Sequence, residues 1–347
     1  MPLLRALIRT ARMIRHTPAL AAGLPADDEV LLDVPDERLA PALVAAGHGD
    51  HGPAAKLLAA TREGAEWENR DRHTARLAAF ARSRPEWFDA WQEAAPHDPD
   101  ALLVKAELAV LTGWESPARA EILRRSGPLV AAAAAADPRD PVPWRVALDH
   151  ARGAHVPRSD FDRLWAEAVR RSPHHYGCHA SALQYLSAAW YGSHRECFAF
   201  AEEAAAQTLS GSLIRALPVR AAFAYLTSPS NPMGVARSVS MRGGGRETGG
   251  RVPRERLDAA ADLAIALSRE YEAGDPYPAE VRNLLTYVLV RLERWPEALE
   301  QLRLIGRYAT SFPWDRIASD PLGQFLELRD GVRIEVASTT PLRAPRG

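Results

Sequence analysis

The stretch from His174 to His194 reads HHYGCHASALQYLSAAWYGSH, and its reading decides the fold. It holds four of the eleven histidines and one of the two cysteines. It is therefore a ligand site or the polar seam between two packed helices. ALQYLSAAW has helical spacing and buries Leu183, Leu186 and Trp190, with Tyr185 towards its edge. YGSH then reads as a tight turn in which Gly192 supplies a left-handed backbone. Ser193 stands three residues before Glu196, the spacing of a capping box that opens the next helix. That helix, RECFAFAEEAAAQ, packs through Cys197, Phe198, Phe200 and Ala201. Helix, turn and helix account for nearly every residue without a ligand.

The same pattern recurs upstream. HDPDALLVKAELAVLTGW (97–114), DPRDPVPWRVALDHARG (137–153) and SPHHYGCHASALQYLSAAW (172–190) each open with a proline-bearing turn and continue as an apolar-periodic helix. The openings lie about 35 to 42 residues apart, which suits a two-helix repeat. Second helices fall between them, such as SDFDRLWAEAVRR (159–171), capped by Ser159 or Asp160 and buried through Phe161, Leu164, Trp165 and Ala168. Pro85 starts a helix after the stripe of Leu77 and Phe80, and Phe88 and Trp91 continue the apolar face. Near the C-terminus Asn283, Leu284 and Tyr287 lie on a first helix, and Trp295, Pro296, Ala298 and Leu299 open a second. This last pair resembles a tetratricopeptide (TPR) unit, with Glu293 where the usual inter-helix glycine falls.

The reading is all-α: antiparallel helix pairs stacked as a TPR-like right-handed superhelix, because an amphipathic pair cannot hide its apolar face alone. It divides the chain into an N-terminal amphipathic helix and irregular lead-in (1–50), a helical repeat domain (51–227), a flexible Gly/Arg/Ser-rich loop (228–252), C-terminal TPR-like hairpins and cap (253–330), and a tail (331–347). One strand is expected at the end of SDPLGQFLELRDGVRIEVA.

Composition bounds the function. With 47% hydrophobic and 25% charged residues the chain has enough apolar content for a core. A net charge of -1 and a pI near 6.8 argue against a nucleic-acid partner. Two cysteines form no disulfide framework and fit a reducing, cytoplasmic compartment. No apolar run reaches the roughly 18 residues of a membrane span. Residues 1–16 form a basic amphipathic segment that either docks on its neighbour or touches an anionic membrane surface. The glycines of 228–252 follow no strand and precede no GK[ST], so they are no phosphate loop.

The histidine segment supports three chemistries. His175 and His179 are i and i+4, and His194 and Glu196 could complete a metal site from the next helix; the glutamate of an HExxH motif is absent. Cys178 with His194, or Ser193 with a neighbouring base, could act as a nucleophile. The third is recognition, with Tyr176, Gln184, Trp190, Ser193 and His194 as a groove-facing patch. The expectation is a scaffold that binds a protein or peptide and needs no cofactor. The alternative is an enzyme of unknown reaction, with or without a metal, centred on 174–196.

Residues 161–212 also resemble a group of uncharacterised actinobacterial proteins with tetratricopeptide-like helices. The resemblance rests on Pro173, His174 or His175, Tyr176, His179, Leu183, Gln184, Tyr185, Trp190, Gly192, Ser193, His194, Phe200 and Ala201. A lysine usual in that group before the tryptophan is Ala189 here. The resemblance extends over roughly 60–330, is strongest in 137–227, and implies a helical fold; it brings no known catalytic residue.

Overall fold

The computed structural model describes residues 20–229 and 251–339, and these are almost entirely helical. They form two compact units. The expected N-terminal amphipathic helix (1–16), most of the Gly/Arg/Ser-rich loop (228–252) and the end of the tail lie outside the described residues.

One unit comprises 35–200 with 207–214. Its helices are α1 (Leu39–Gly47), α2 (Gly52–Glu63), α3 (Trp67–Ser83), α4 (Glu86–Ala94), α5 (Pro99–Glu115), α6 (Arg119–Ala136), α7 (Val142–Gly153), α8 (Arg158–Arg171) and α9 (Tyr176–Tyr185). Helix α10 (His194–Gln207) starts here and lends residues 201–206 to the other unit. From α1 to α9 consecutive helices pack on one another, and the alternate helices α3, α5, α7 and α9 also pack in series. Helix α3 additionally touches α7 and α9, so its neighbours in space extend beyond its neighbours in sequence. The apolar core follows the chain in steps. Leu58, Leu77, Trp87, Phe88 and Trp91 form one cluster, Leu103, Val110, Leu123 and Val146 the next, and Leu148, Phe161, Ala168 and Tyr185 a third. Each such side chain contributes roughly 1.5–3 kcal/mol by leaving water. Leu123 of α6 is the tightest joint: a Cβ on Gly113 of α5 would come within 2.6 Å of it, and one on Gly153 of α7 within 2.2 Å. Two missing side chains thus make the hole that this leucine fills.

The other unit contains, among described residues, 20–34 and 215–229 with 251–339. Its elements are β1 (Leu31–Leu32), α11 (Leu217–Leu226), α12 (Arg254–Ser268), α13 (Ala279–Arg291), α14 (Trp295–Ile305), β2 (Tyr308–Ala309), the single turn α15 (Ser311–Trp314) and α16 (Pro321–Thr339). β1 pairs in parallel with β2, Leu31 opposite Tyr308. Asp33 accepts the Ser311 N–H at 2.9 Å, and Arg329 donates to the Pro25 carbonyl at 3.1 Å. These contacts tie residues before 35 to the C-terminal helices. The compact units therefore divide at 35 and not at 51, and the expected lead-in contains helix α1.

Helix starts follow local chemistry. The Asp98 side chain caps α5 through the Asp100 N–H at 2.9 Å, and prolines occupy the first turns of α2, α5, α7, α11 and α14. At α8 the cap is Pro157, not Ser159 or Asp160. Four helix ends share one device. Gly49, Ala65 and Glu293 have φ of 86°, 52° and 56°, and the next residue donates five positions back: Asp50 to Ala45, Glu66 to Thr61, Arg294 to Leu289. This is the Schellman turn. His155, at φ 59°, does the same with Val156 donating to Ala151. The position where Glu293 replaces a glycine is thus a left-handed one.

The expected strand near 335 is absent. Residues 321–339 form one helix, whose buried positions Phe325, Arg329, Val332 and Val336 repeat every three or four residues. That period outweighs the β-branched composition. The boundary drawn at 331 falls inside this helix.

Candidate functional site

Three of the proline-bearing openings deliver a polar side chain to one helix, α3. Asp100, at the start of α5, lies 2.7 Å from Arg70 and 3.1 Å from Arg62. Asp140, before α7, lies 2.6 Å from Arg70 and accepts the Val142 N–H. His175, before α9, turns its Nε2 towards α3, 3.7 Å from Asp71 and 4.0 Å from Glu68. Arg70 also donates to the Leu58 carbonyl at 2.9 Å.

A second arginine joins the cluster from α7. Arg145 lies 2.6 Å from Asp71, 2.8 Å from Glu107 of α5 and 3.5 Å from Asp149. Burial opposes its charge, but these carboxylates outweigh that cost and hold the guanidinium well above its usual range. Burial pushes the Glu107 carboxyl up, and Arg145 pulls it back by less. Glu68 is likewise raised by burial, against the pull of His175 and of the Tyr176 N–H that it accepts at 2.6 Å. Gly177 is required here: a Cβ on it would stand 2.1 Å from the Asp71 carboxylate. Without a side chain, the first turn of α9 settles onto the acids of α3, and its partial positive charge meets Glu68.

His175 shares this environment with Cys178. Its Nδ1 lies 3.1 Å from the Cys178 Sγ and 3.2 Å from the Cys178 N–H, which it caps. One nitrogen thus serves either a proton or the helix cap. Burial alone would lower the imidazole, but Cys178, Glu68 and Asp71 raise it to about 10. Cys178, His175 and Asp71 follow one another in the order of a thiol triad, but 3.7 Å from His175 Nε2 to Asp71 is no hydrogen bond, and that nitrogen has no hydrogen-bond partner among the described residues. The thiol, however, is 0% exposed, is pushed up by burial, and points its hydrogen at the Pro141 carbonyl at 3.7 Å. A nucleophilic cysteine needs a thiolate that reaches its substrate. Here the sulfur is a packed member of the core.

The other residues singled out from the sequence are dispersed. His179 donates from Nδ1 to the His175 carbonyl at 3.0 Å and packs edge-on against Trp165 and at a tilt against Phe200. Burial lowers it to about 4. His194 is buried at the start of α10, which lowers it as well. Ser193 accepts the Glu196 N–H, and its hydroxyl donates to the Glu196 carboxylate, so Glu196 is held at its own helix start. Among the described residues no three His, Cys, Asp or Glu side chains converge to hold a metal ion. The metal candidates His175, His179, His194 and Glu196 are therefore not brought to one point: one faces α3, one an aromatic cage, and Glu196 a cap.

The groove-facing candidates differ in exposure. Tyr176 is buried, whereas Gln184 and Trp190 are half-buried. Helix α9 ends at Tyr185, not at Trp190, and Tyr185 is buried against Phe161 with ring centroids 3.6 Å apart. Residues 187–192 form a turn in which Gly192 is needed for space, not for φ: a Cβ there would meet the Leu186 carbonyl at 2.1 Å.

Sequence reasoning missed Glu68, Arg70, Asp71, Glu107 and Arg145. One signal was present. Arg70 sits on the stripe that continues through His73, Thr74, Leu77, Ala78 and Ala81, all buried. A charge in phase with an apolar stripe needs a buried counter-ion.

Fold and site together define an all-helical protein with a buried ionic cluster at the convergence of α3, α5, α7 and α9. None of its described helices is long and apolar enough to cross a membrane. Comparison with protein-family models, with curated proteins and with solved structures gave no match to the chain.

Proposed function

We propose that the chain is a TPR-like scaffold that binds a protein or peptide in the cytoplasm, its helix pairs antiparallel and wound as a right-handed superhelix. The carrying observation is the row α3, α5, α7, α9, in which the first helices of successive pairs pack side by side. Such a row makes one face of a solenoid, and that face is where solenoids recognise extended partners. The ionic cluster stiffens this row, because Asp71, Asp100, Glu107 and Asp140 are each held by an arginine from another helix. Two free, buried cysteines agree with a reducing compartment. The relationship to the actinobacterial tetratricopeptide-like group belongs to the same proposal.

The test is selection of peptides from a random display library on the intact protein, followed by substitution on both faces. Enriched peptides whose binding is lost on Trp190→Ala or Gln184→Ala support the reading. A library that yields no enrichment over several rounds counts against it. The enzyme alternative has the Cys178–His175 contact in its favour and complete burial of the sulfur against it. Rapid alkylation of Cys178 by iodoacetamide in the folded protein would revive it.

A further inference from the structure

We propose that Arg119, laid on Trp114 and Trp190, receives the oxyanion of an acidic peptide, whether a carboxylate or a phosphate. This deepens the scaffold reading and rests on it for the peptide. The two indoles meet edge to face with centroids 5.3 Å apart, and both are half-buried. Arg152 packs on them at 4.3 and 5.0 Å and is paired with Asp149. Arg119 packs at 4.8 and 6.0 Å and, among the described residues, has no acid and no hydrogen-bond acceptor. Its neighbouring acids are committed elsewhere: Glu115 pairs with Arg82, and Glu121 with Arg125.

The position works against helix stability. Arg119 is the first residue of α6, whose N-cap, Ala118, makes no side-chain cap. A cation at a helix N-terminus opposes the macrodipole. Stacking on indole offsets part of that. Stacking also uses only the face of the guanidinium; its Nε is buried, and its two terminal nitrogens remain to grip an oxyanion in a two-pronged bond. Tyr191, 38% exposed, extends the platform, and its hydroxyl is fixed by the Arg152 carbonyl at 3.1 Å and by His155 at 2.7 Å. The tight turn 187–192 presents Trp190 and Tyr191 together, so an acidic side chain can meet the arginine while an apolar neighbour lies on the rings.

The experiment uses the intact protein and fluorescence anisotropy of labelled peptides, identical except for a central Glu, phosphoserine, Gln or Ser. Inorganic phosphate is titrated separately against tryptophan fluorescence. The expected result is binding of the Glu or phosphoserine peptide that weakens at least tenfold in Arg119→Gln, with the urea midpoint unchanged and partial recovery in Arg119→Lys. Preference for Glu or for phosphoserine identifies the source of the anion. Equal binding of all four peptides, unaltered by Arg119→Gln, overturns the anion inference and leaves the scaffold. No peptide binding, with a phosphate response that Arg119→Gln abolishes, keeps the anion site and removes its peptide. No response of either kind overturns the inference.

Discussion

The carbonyl of His175 accepts the Nδ1–H of His179 at 3.0 Å, yet the two imidazoles stand on opposite sides of the proton equilibrium. His175 faces two carboxylates and a sulfur and is raised to about 10; His179 faces Trp165 and Phe200 and is lowered to about 4. One helical turn separates a charged seam from an apolar one.

Stability should therefore decline on both sides of neutrality. Unfolded, His179 takes a proton near 6.5; folded, at about 4. The native state binds fewer protons in that window, so stability falls as pH drops from 6.5 to about 4, by roughly 3 kcal/mol in all. His175 acts in the reverse sense: its contribution is complete below 6.5 and is lost as pH rises towards about 10. Urea unfolding across this range measures both limbs. His179→Phe should flatten the acid limb; an acid limb of unchanged slope in that variant would refute the assignment.

Arg70→Met should destabilise by about 3–5 kcal/mol, because Asp140 would keep a buried charge without its partner and Asp100 would retain only Arg62. Replacing all three residues by apolar ones of similar volume should restore much of the loss. Equal stability of the single and triple variants, by denaturant midpoint, would mean that the cluster does not act as a unit.

Glu293→Gly should stabilise the protein by up to about 1 kcal/mol. Glu293 is exposed and held at φ 56°, a conformation costing a side-chain-bearing residue about 1–2 kcal/mol, part of which glycine returns as unfolded-state entropy. A calorimetric melting temperature that falls in this variant would contradict the turn geometry.

Arg282→Met should cost at least about 3 kcal/mol. This buried arginine gathers the carbonyls of Ser268 at the end of α12, of Tyr271 and Glu272 just after it, and of Leu304 near the end of α14, at 2.8–3.0 Å, and also donates to the Ser268 hydroxyl. Its removal strands several buried acceptors. Lysine at this position should rescue little, since its single ammonium cannot span the fan. Near-native stability of either variant would show that water replaces the guanidinium freely.

The recurrence of prolines at the openings and the helical spacing of apolar residues made the helices legible, down to the start at Glu86 after Pro85 and the cap of α10 by Ser193. The site was legible only in fragments. The segment 174–196 marks one wall of the ionic cluster, but its partners Glu68 and Asp71 lie about a hundred positions upstream.

What the chain order alone determined was where helices begin, which faces are apolar, and how they alternate with turns. Those properties depend on interactions within a few residues. The tertiary structure alone decided that β1 meets β2, that three openings converge on α3, and which charges are buried. These depend on groups far apart in sequence, and no local period records which buried acid an arginine such as Arg70 will find.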